Sequence, residues 1–337
     1  MKKYPMLDVF RLLCACLVVV IHLDAGNTAF GSMLISCFSC QAVPFFFIAS
    51  GFFFVRNLEK APNTKAYILK FFKNQLFFYF LWSLILLPQS IATYVQLYPN
   101  QSVLYLVLVL IRRTLLAGTA QFWFLLALAV TALIAGFCLL HNRRKLLFTI
   151  AAIGFLLGIL YSLQIQTPPF SLYNRLVYAL FSWQNNFLMS GLPFFCIGIF
   201  LSDHSAKITA TRTGAYLLPY GLVCLASLIL FSAACAQGWN PERIMFLYPF
   251  QATLLFLIGL STKDIPPIRT ISPFCRNASV AVYCLHNLAI EYCLGDLIPW
   301  SEYGLINHLV VISACILIYI LAAALKLKPL YRLITLK

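Results

Sequence analysis

Long apolar runs, each close to the length of a membrane-spanning helix, are the feature that most constrains this sequence. A helix needs about 20 mainly apolar residues to cross the hydrocarbon core of a bilayer. Ten segments meet this description: 6–24, 38–55, 71–92, 122–140, 146–164, 187–202, 214–236, 243–260, 278–297 and 305–326. A lone span must satisfy its own backbone hydrogen bonds, which favours helices. We therefore predict an all-α integral membrane protein of about ten transmembrane helices, with the lipid bilayer as a partner.

The balance of apolar and charged residues excludes several classes of protein. The sequence is 62% hydrophobic and 10% charged, whereas soluble domains carry about 25% charged residues. A soluble enzyme and a disordered chain are therefore excluded. The net charge of +15 would suggest a polyanionic partner in a soluble protein, but here the basic residues lie in short segments between apolar runs. We expect no nucleic-acid partner and one transmembrane domain over residues 1–337.

The distribution of lysine and arginine predicts the orientation. With the N-terminus inside and the spans alternating, nineteen basic residues fall on the inner side. Four fall on the outer side: Arg112, Arg113, Arg175 and Arg243. Basic residues favour cytoplasmic loops, so we predict cytoplasmic termini and a multi-pass location in the cell membrane. Outer segments 93–121 and 165–186 are longer than turns, and we expect them to cover a site that opens outward.

The cysteines do not suggest a metal site. Most of the 12 cysteines lie inside apolar runs, where a thiol behaves as a small hydrophobic group. Cys37 and Cys40 form a single C-x-x-C pair, and one pair cannot complete a tetrahedral zinc site. We expect no metal.

The first apolar segment contains three polar residues of interest: Asp8, Arg11 and His22. Ionisable side chains are costly in a membrane and often mark a functional site. Eleven helical steps turn about 1100° and rise about 16 Å, so Arg11 and His22 share one helix face, and Asp8 is three residues from Arg11. The alternative is an interfacial ion pair between Asp8 and Arg11, with His22 extending to the outer surface.

A second polar stripe lies in the ninth apolar segment. Ser279, Tyr283 and His286 share one helix face at positions i, i+4 and i+7, and Tyr283, Asn287 and Glu291 form an adjoining stripe. These residues predict a wall of a substrate channel, or alternatively a hydrogen-bond network between helices. Three further histidines near segment ends are predicted to be surface residues: His141, His204 and His308.

Four motifs, found in the same order along the chain, resemble those of the acyltransferase-3 family. Arg11, ten residues and His22 resemble R-x10-H, and 43–52 (VPFFFIASGF) resembles P-x-FF-x-x-SG-F/Y. The run 121–125 (QFWFL) resembles H-x-W-F/Y-L, and 279–286 (SVAVYCLH) resembles S-x-x-x-Y-x-x-H. Members of this family are ten-helix bacterial membrane enzymes that acylate envelope glycans from cytoplasmic acyl-CoA.

The resemblance implies transfer of an acyl group, acetyl as the expected one, from acyl-CoA to a hydroxyl of a cell-envelope glycan or lipid-linked acceptor. His22 would be the general base, because an imidazole titrates near neutral pH. Arg11, with Asp8, would hold the charge of the donor or the intermediate. Candidate oxyanion donors, which we do not rank, are Ser50, Gln121, Trp123 and Arg11.

The predicted donor site departs from the family at the start of the third apolar segment. Where the family often has R-x-x-R, this chain has Lys70 and Lys73, which bind phosphate as point charges without the bidentate fork of arginine. CoA is a polyanion, so its entry should be basic and cytoplasmic. We predict that Lys70, Lys73, Ser50 and Arg276 bind acyl-CoA; the alternative for the basic residues is a solvated surface.

The predicted substrate channel departs from the family at one position. Gln121 stands where the family has histidine, and an amide forms hydrogen bonds but carries no proton at neutral pH. The channel residues are Gln121, Trp123, Tyr283, His286 and Glu291.

A second likeness leads to the alternative function. Segments 44–51, 73–76, 166–168 and 173–174 resemble the membrane domain of vancomycin-type membrane serine racemases, a domain of the same family that is associated with serine uptake. This likeness implies a non-catalytic transport domain for a small substrate such as serine. No racemase domain follows in this sequence, and we expect no racemase activity from it. The intramembrane charges disfavour a purely structural subunit.

Overall fold

The protein is described by a computed structural model over residues 4–23, 29–165, 167–181, 185–237, 247–290 and 304–336, and these ranges contain helices and no strand. The all-α prediction is confirmed. The helices pack into two compact units, residues 1–49 with 203–337, and residues 50–202. We call these the first and the second unit.

The first unit contains helices from both ends of the chain. Its helices are α1 (Pro5–His22), α2 (Ala29–Cys37), the beginning of α3 (Ala42–Leu58), α11 (Ser205–Ala210), α12 (Gly214–Ala236), α13 (Tyr248–Ser261), α14 (Pro266–Leu288), α15 (Gly304–Ala324) and α16 (Lys328–Thr335). The second unit contains the rest of α3, α4 (Thr64–Ile85), α5 (Leu87–Leu97), α6 (Val103–Arg112), α7 (Trp123–Leu140), α8 (Arg144–Ser162), α9 (Phe170–Phe181) and α10 (Leu192–Asp203).

Six helical segments among the described residues are long and apolar enough to cross a membrane. They are Pro5–His22, Gly31–Leu58, Ala120–Leu140, Arg144–Ser162, Gly214–Ala236 and Ile306–Ala324. The bent pair α4 and α5, which meet at 62°, is a seventh candidate if it forms one span. The protein is therefore a multi-pass membrane protein; the count of ten and the cytoplasmic termini stay predictions.

Helix α1 packs along α14, and both begin with proline. Pro5 and Pro266 are at the first helical positions, where the missing N–H group costs no hydrogen bond. Residues near the start of α1 contact the middle of α14, and His22, at the end of α1, contacts His286 near the end of α14. The two helices therefore run parallel.

A buried amide holds three other helices of the first unit together. Gln251 of α13 is fully buried, and its Nε2 donates to the Cys37 carbonyl at 2.8 Å and to Ser227 Oγ at 3.1 Å. These bonds join α13 to the end of α2 and to α12, because a buried polar group needs hydrogen-bond partners.

Small residues permit close helix packing in the second unit. At Gly51 of α3, an added Cβ would lie 2.1 Å from the carbonyl oxygen of Phe195 in α10. Any other residue would separate the two backbones, so glycine is required there. The same approach places Phe54 of α3 against Phe195, with ring centroids 5.4 Å apart.

Candidate active site

The carboxylate of Asp8 is the centre of a polar cluster between α1 and α14. Asp8 is 3% exposed and accepts hydrogen bonds from Arg11, Ser272 and Arg276. Arg11 Nη1 is 3.0 Å from Oδ1, and Ser272 Oγ is 2.6 Å from Oδ2. We call these four residues the Asp8 cluster.

Arg276 donates two parallel hydrogen bonds to the Asp8 carboxylate. Its Nε is 3.0 Å from Oδ1, and its Nη2 is 2.5 Å from Oδ2. This bidentate arrangement matches the planar fork of a guanidinium to a carboxylate. With Arg11, the cluster holds two positive charges against one negative charge, and 53% of the Arg276 side chain is exposed. The four residues of the cluster therefore carry a net positive charge, and the Arg276 side chain reaches the protein surface.

Two histidines meet at the other end of the same helix pair. The rings of His22 and His286 have centroids 5.1 Å apart. His286 is fully buried, and its Nδ1 is 2.9 Å from the Val282 carbonyl oxygen. Because a carbonyl only accepts, Nδ1 carries the proton and Nε2 holds the lone pair. Nε2 has no hydrogen-bond partner among the described residues, and His22 is exposed.

The structure thus brings together residues from two distant motifs. His22 comes from the first motif and His286 from the last, and each was predicted without the contact between them. Ser272 was not among the predicted site residues, and the bond between Arg276 and Asp8 was not predicted. The sequence has 9 acidic residues against 24 basic ones. Because a buried carboxylate needs a charged partner, an acidic residue in an apolar segment, such as Asp8, could have been expected to bind a distant arginine.

The remaining predicted residues of α14 have mixed positions. Tyr283 is half-buried, and Ser279 is buried with its hydroxyl donating to the Arg276 carbonyl at 2.8 Å. Glu291 lies outside the described residues.

The predicted donor residues other than Arg276 belong to the second unit. Lys70 and Lys73 are exposed on α4, and Ser50 is half-buried on α3, next to Gly51. The two lysines share a face because they are three residues apart in one helix.

The predicted channel residues at the start of α7, Gln121 just before it and Trp123 as its first residue, are also in the second unit. Gln121 is 2% exposed in the short turn before α7, beside Phe122, which stacks on Trp82 at 5.0 Å between ring centroids. Trp123 lines a cavity of about 350 Å³. The sequence placed these residues in a channel, and the structure places Gln121 in packed protein and Trp123 at a cavity.

One of the three predicted surface histidines is buried. His141 and His204 are exposed, as predicted. The prediction for His308 is wrong, because it is 4% exposed. Helix α15 begins at Gly304, which puts His308 one turn inside the helix, on the same buried face as Val311 and Cys315.

Comparison with known proteins decides the family. A family model described as an acyltransferase domain, that of acyltransferase-3, matches residues 4–327. The chain belongs to the acyltransferase-3 family. The match covers nearly the whole chain, including both histidines of the site, and confirms the resemblance carried by the four motifs. Family membership supports a membrane acyltransferase.

Curated relatives of this acyltransferase-3 protein are named as racemases. The chain is 29% identical to a serine/alanine racemase of Enterococcus gallinarum over 91% of its own length and 44% of the relative. It is 24% identical to an amino-acid racemase of Enterococcus faecalis over 97% of its length and 46% of the relative. The chain thus spans less than half the length of these relatives. No solved structure matches it significantly.

Proposed function

We propose that the protein is a cell-membrane acyltransferase that moves an acyl group, acetyl as the expected one, from cytoplasmic acyl-CoA to a hydroxyl of a cell-envelope glycan or lipid-linked acceptor. The observation that carries this proposal is the pairing of His22 with His286 on a helix pair whose other end holds the Asp8 cluster. One end offers a base and the other offers positive charge, which are the two requirements of acyl transfer from a polyanionic thioester.

His22 acts as the general base in this proposal. Its imidazole takes the proton of the acceptor hydroxyl as the hydroxyl oxygen attacks the thioester carbonyl carbon. The carbon–sulfur bond then breaks, and the CoA thiolate receives that proton from the imidazolium. His286, held by Val282, positions the His22 ring by packing against it.

The Asp8 cluster holds the donor in this proposal. Arg11 and Arg276 together exceed the charge of Asp8, so the cluster attracts the phosphates of CoA. Arg11 and His22 are separated by a rise of about 16 Å along α1, and the long pantetheine arm of CoA would span this interval. Lys70, Lys73 and Ser50 are proposed as further donor contacts.

The names of the relatives support a second candidate function. These names give serine, alanine and amino acids as substrates of racemases, and we propose as the alternative a domain that transports or takes up a small substrate such as serine. A transporter need not bind acyl-CoA, whereas the enzyme must.

The test compares turnover by two histidine variants. Purified full-length protein is incubated with acetyl-CoA and glycan acceptors, and free CoA is measured by chromatography, because the chain's own cysteines would react with thiol dyes. His22→Ala should lower the rate by about 10²- to 10⁴-fold, as expected for loss of a general base. His141→Ala, which removes an exposed histidine elsewhere, is the matched control.

Two outcomes would contradict the proposal. Equal rates for wild type and His22→Ala would dismiss His22 as the base. Absence of acyl-CoA binding by the wild type would favour the transport alternative.

A further inference from the structure

The second unit contains a cavity with a mixed polar and apolar lining, to which the proposed acyl-transfer steps assign no ligand. Its volume is about 350 Å³, at the small end of ligand pockets. The lining of the cavity includes Gln89, Tyr94, Arg113, Gly118, Trp123 and Asn185. We call it the Arg113 pocket.

A wide turn after α6 builds one wall of the pocket. Residues Arg113–Ala117 form a single π-type turn, and such turns are frequent at functional sites. The turn ends at Gly118, with φ of +90°, and an added Cβ there would lie 2.3 Å from Trp123 Cα. Only glycine fits both the backbone angle and this approach. The Tyr79 hydroxyl donates to the Thr114 carbonyl within the turn, which holds it in place.

Two side chains that line the pocket each contain a buried polar atom without a partner among the described residues. Arg113 Nε is buried with no hydrogen-bond partner among the described residues, and so is the Gln89 side-chain oxygen. The Arg113 guanidinium carbon lies 5.6 Å from the centroid of the Tyr94 ring, which adds a modest cation–π attraction. A buried donor and a buried acceptor without partners each cost free energy, so a ligand that satisfies both would be stabilised.

The second unit has almost no acidic residue to neutralise Arg113. Among residues 50–202 the one acidic residue is Glu59, which precedes α4, whereas the pocket begins after α4. A 22-residue helix is about 33 Å long, so Glu59 is far from Arg113. The positive charge therefore has no nearby carboxylate within its own unit.

We propose that the Arg113 pocket binds a small ligand that carries both a carboxylate and a hydrogen-bond donor, as amino acids and hydroxy acids do. The carboxylate pairs with the Arg113 guanidinium, and the ammonium or hydroxyl group donates to Gln89. Tyr94 and Trp123 enclose the ligand. The proposal uses neither His22 nor the Asp8 cluster and shares only Trp123 with the predicted acyl-transfer channel; it deepens the transport alternative by giving that function a ligand site.

The experiment measures binding of radiolabelled L-serine to the full-length protein in phosphatidylcholine nanodiscs. Unlabelled L-serine should displace the label, acetate should displace it more weakly, and ethanolamine, which lacks a carboxylate, should not. Arg113→Met should weaken binding about 10- to 100-fold, the range for loss of charge-assisted hydrogen bonds. Arg113→Lys should also weaken it, because lysine lacks the planar fork.

Two further variants sharpen the test. Gln89→Leu should weaken the binding of L-serine and leave acetate binding unchanged, since acetate has no donor for Gln89. Arg175→Met is the matched control: Arg175 is exposed and lines a different cavity of the same unit, so binding should persist.

Several results would overturn the proposal. These are equal binding by Arg113→Met and wild type, loss of binding in Arg175→Met alone, displacement by ethanolamine, or displacement by inorganic phosphate more strongly than by acetate. Absence of saturable binding of both carboxylate probes to the wild type would overturn it as well. The competition series uses wild-type protein, so it remains decisive if a variant fails to fold.

Discussion

Arg11 and Arg276 of the first unit bind a carboxylate, whereas Arg113 of the second unit has none nearby in its own unit. Arg11 and Arg276 share Asp8 through bonds of 2.5 to 3.0 Å, but residues 50–202 contain one distant acidic residue. In the first arrangement the chain itself supplies the carboxylate, whose bonds to Arg276 join α1 to α14. The second leaves charge and hydrogen-bonding capacity for a ligand. The same residue type is thus paired with a carboxylate of the chain in one unit and left without a nearby one in the other.

The largest expected loss of stability follows from removing the Asp8 carboxylate. Asp8→Ala leaves two guanidinium groups without their carboxylate, and breaking a buried ion pair costs about 3–5 kcal/mol. Because Arg276 is half-exposed, we expect about 3 kcal/mol, measured as a lower midpoint of thermal unfolding in detergent. Arg113→Met, which breaks no ion pair, should cost less than about 1 kcal/mol, the scale of its contact with Tyr94. Equal losses in the two variants would remove the distinction between the arginines.

A smaller effect is expected when the fork of Arg11 is changed and its charge is kept. Arg11→Lys retains the positive charge but loses planar hydrogen bonding. We expect the KM for acetyl-CoA to rise about tenfold, equivalent to about 1.4 kcal/mol, with correctly folded protein by size-exclusion chromatography. An unchanged KM would show that Arg11 holds Asp8 alone and does not contact the donor.

The smallest effect is expected at the exposed lysines of α4. Replacing Lys70 and Lys73 together by alanine should weaken acyl-CoA binding a few-fold, since each exposed charge contributes about 0.2–1 kcal/mol. The difference from wild type should shrink at high salt. Lys145→Ala, at another exposed lysine of the second unit, serves as control. A loss that is insensitive to salt would argue against a direct charge interaction.

Local patterns predicted the elements of the site but not its contacts. The eleven-residue interval between Arg11 and His22 predicted one helix face, and α1 spans both residues without a break. Asp8 and Arg276 are 268 positions apart, and no periodicity connects residues at that separation. Their contact follows from the parallel packing of α1 on α14, which depends on the whole first unit.

Some features of the Arg113 pocket could be predicted from the sequence. Segment 93–121 was predicted to cover an outward-opening site, and Arg113 lies in it. The absence of acidic residues over more than a hundred positions around Arg113 was also readable and pointed to an uncompensated charge. The turn at Gly118 was not predictable, because its close contact with Trp123 depends on packing. The burial of His308 was missed although the predicted segment, 305–326, begins within one residue of α15, because a position near a segment end was taken to be at the surface.

The double hydrogen bond from Arg276 to Asp8 has a mechanical consequence for the far end of the same helices. By occupying both carboxylate oxygens, the guanidinium fixes the axial register of α1 against α14, and a fork tolerates far less sliding than a single bond does. A slip of one helical turn, about 5.4 Å, would break the fork and carry the two imidazoles past each other. The geometry of the histidine pair is therefore set by an anchor that lies ten residues before His286 in α14, about 15 Å away along the helix axis.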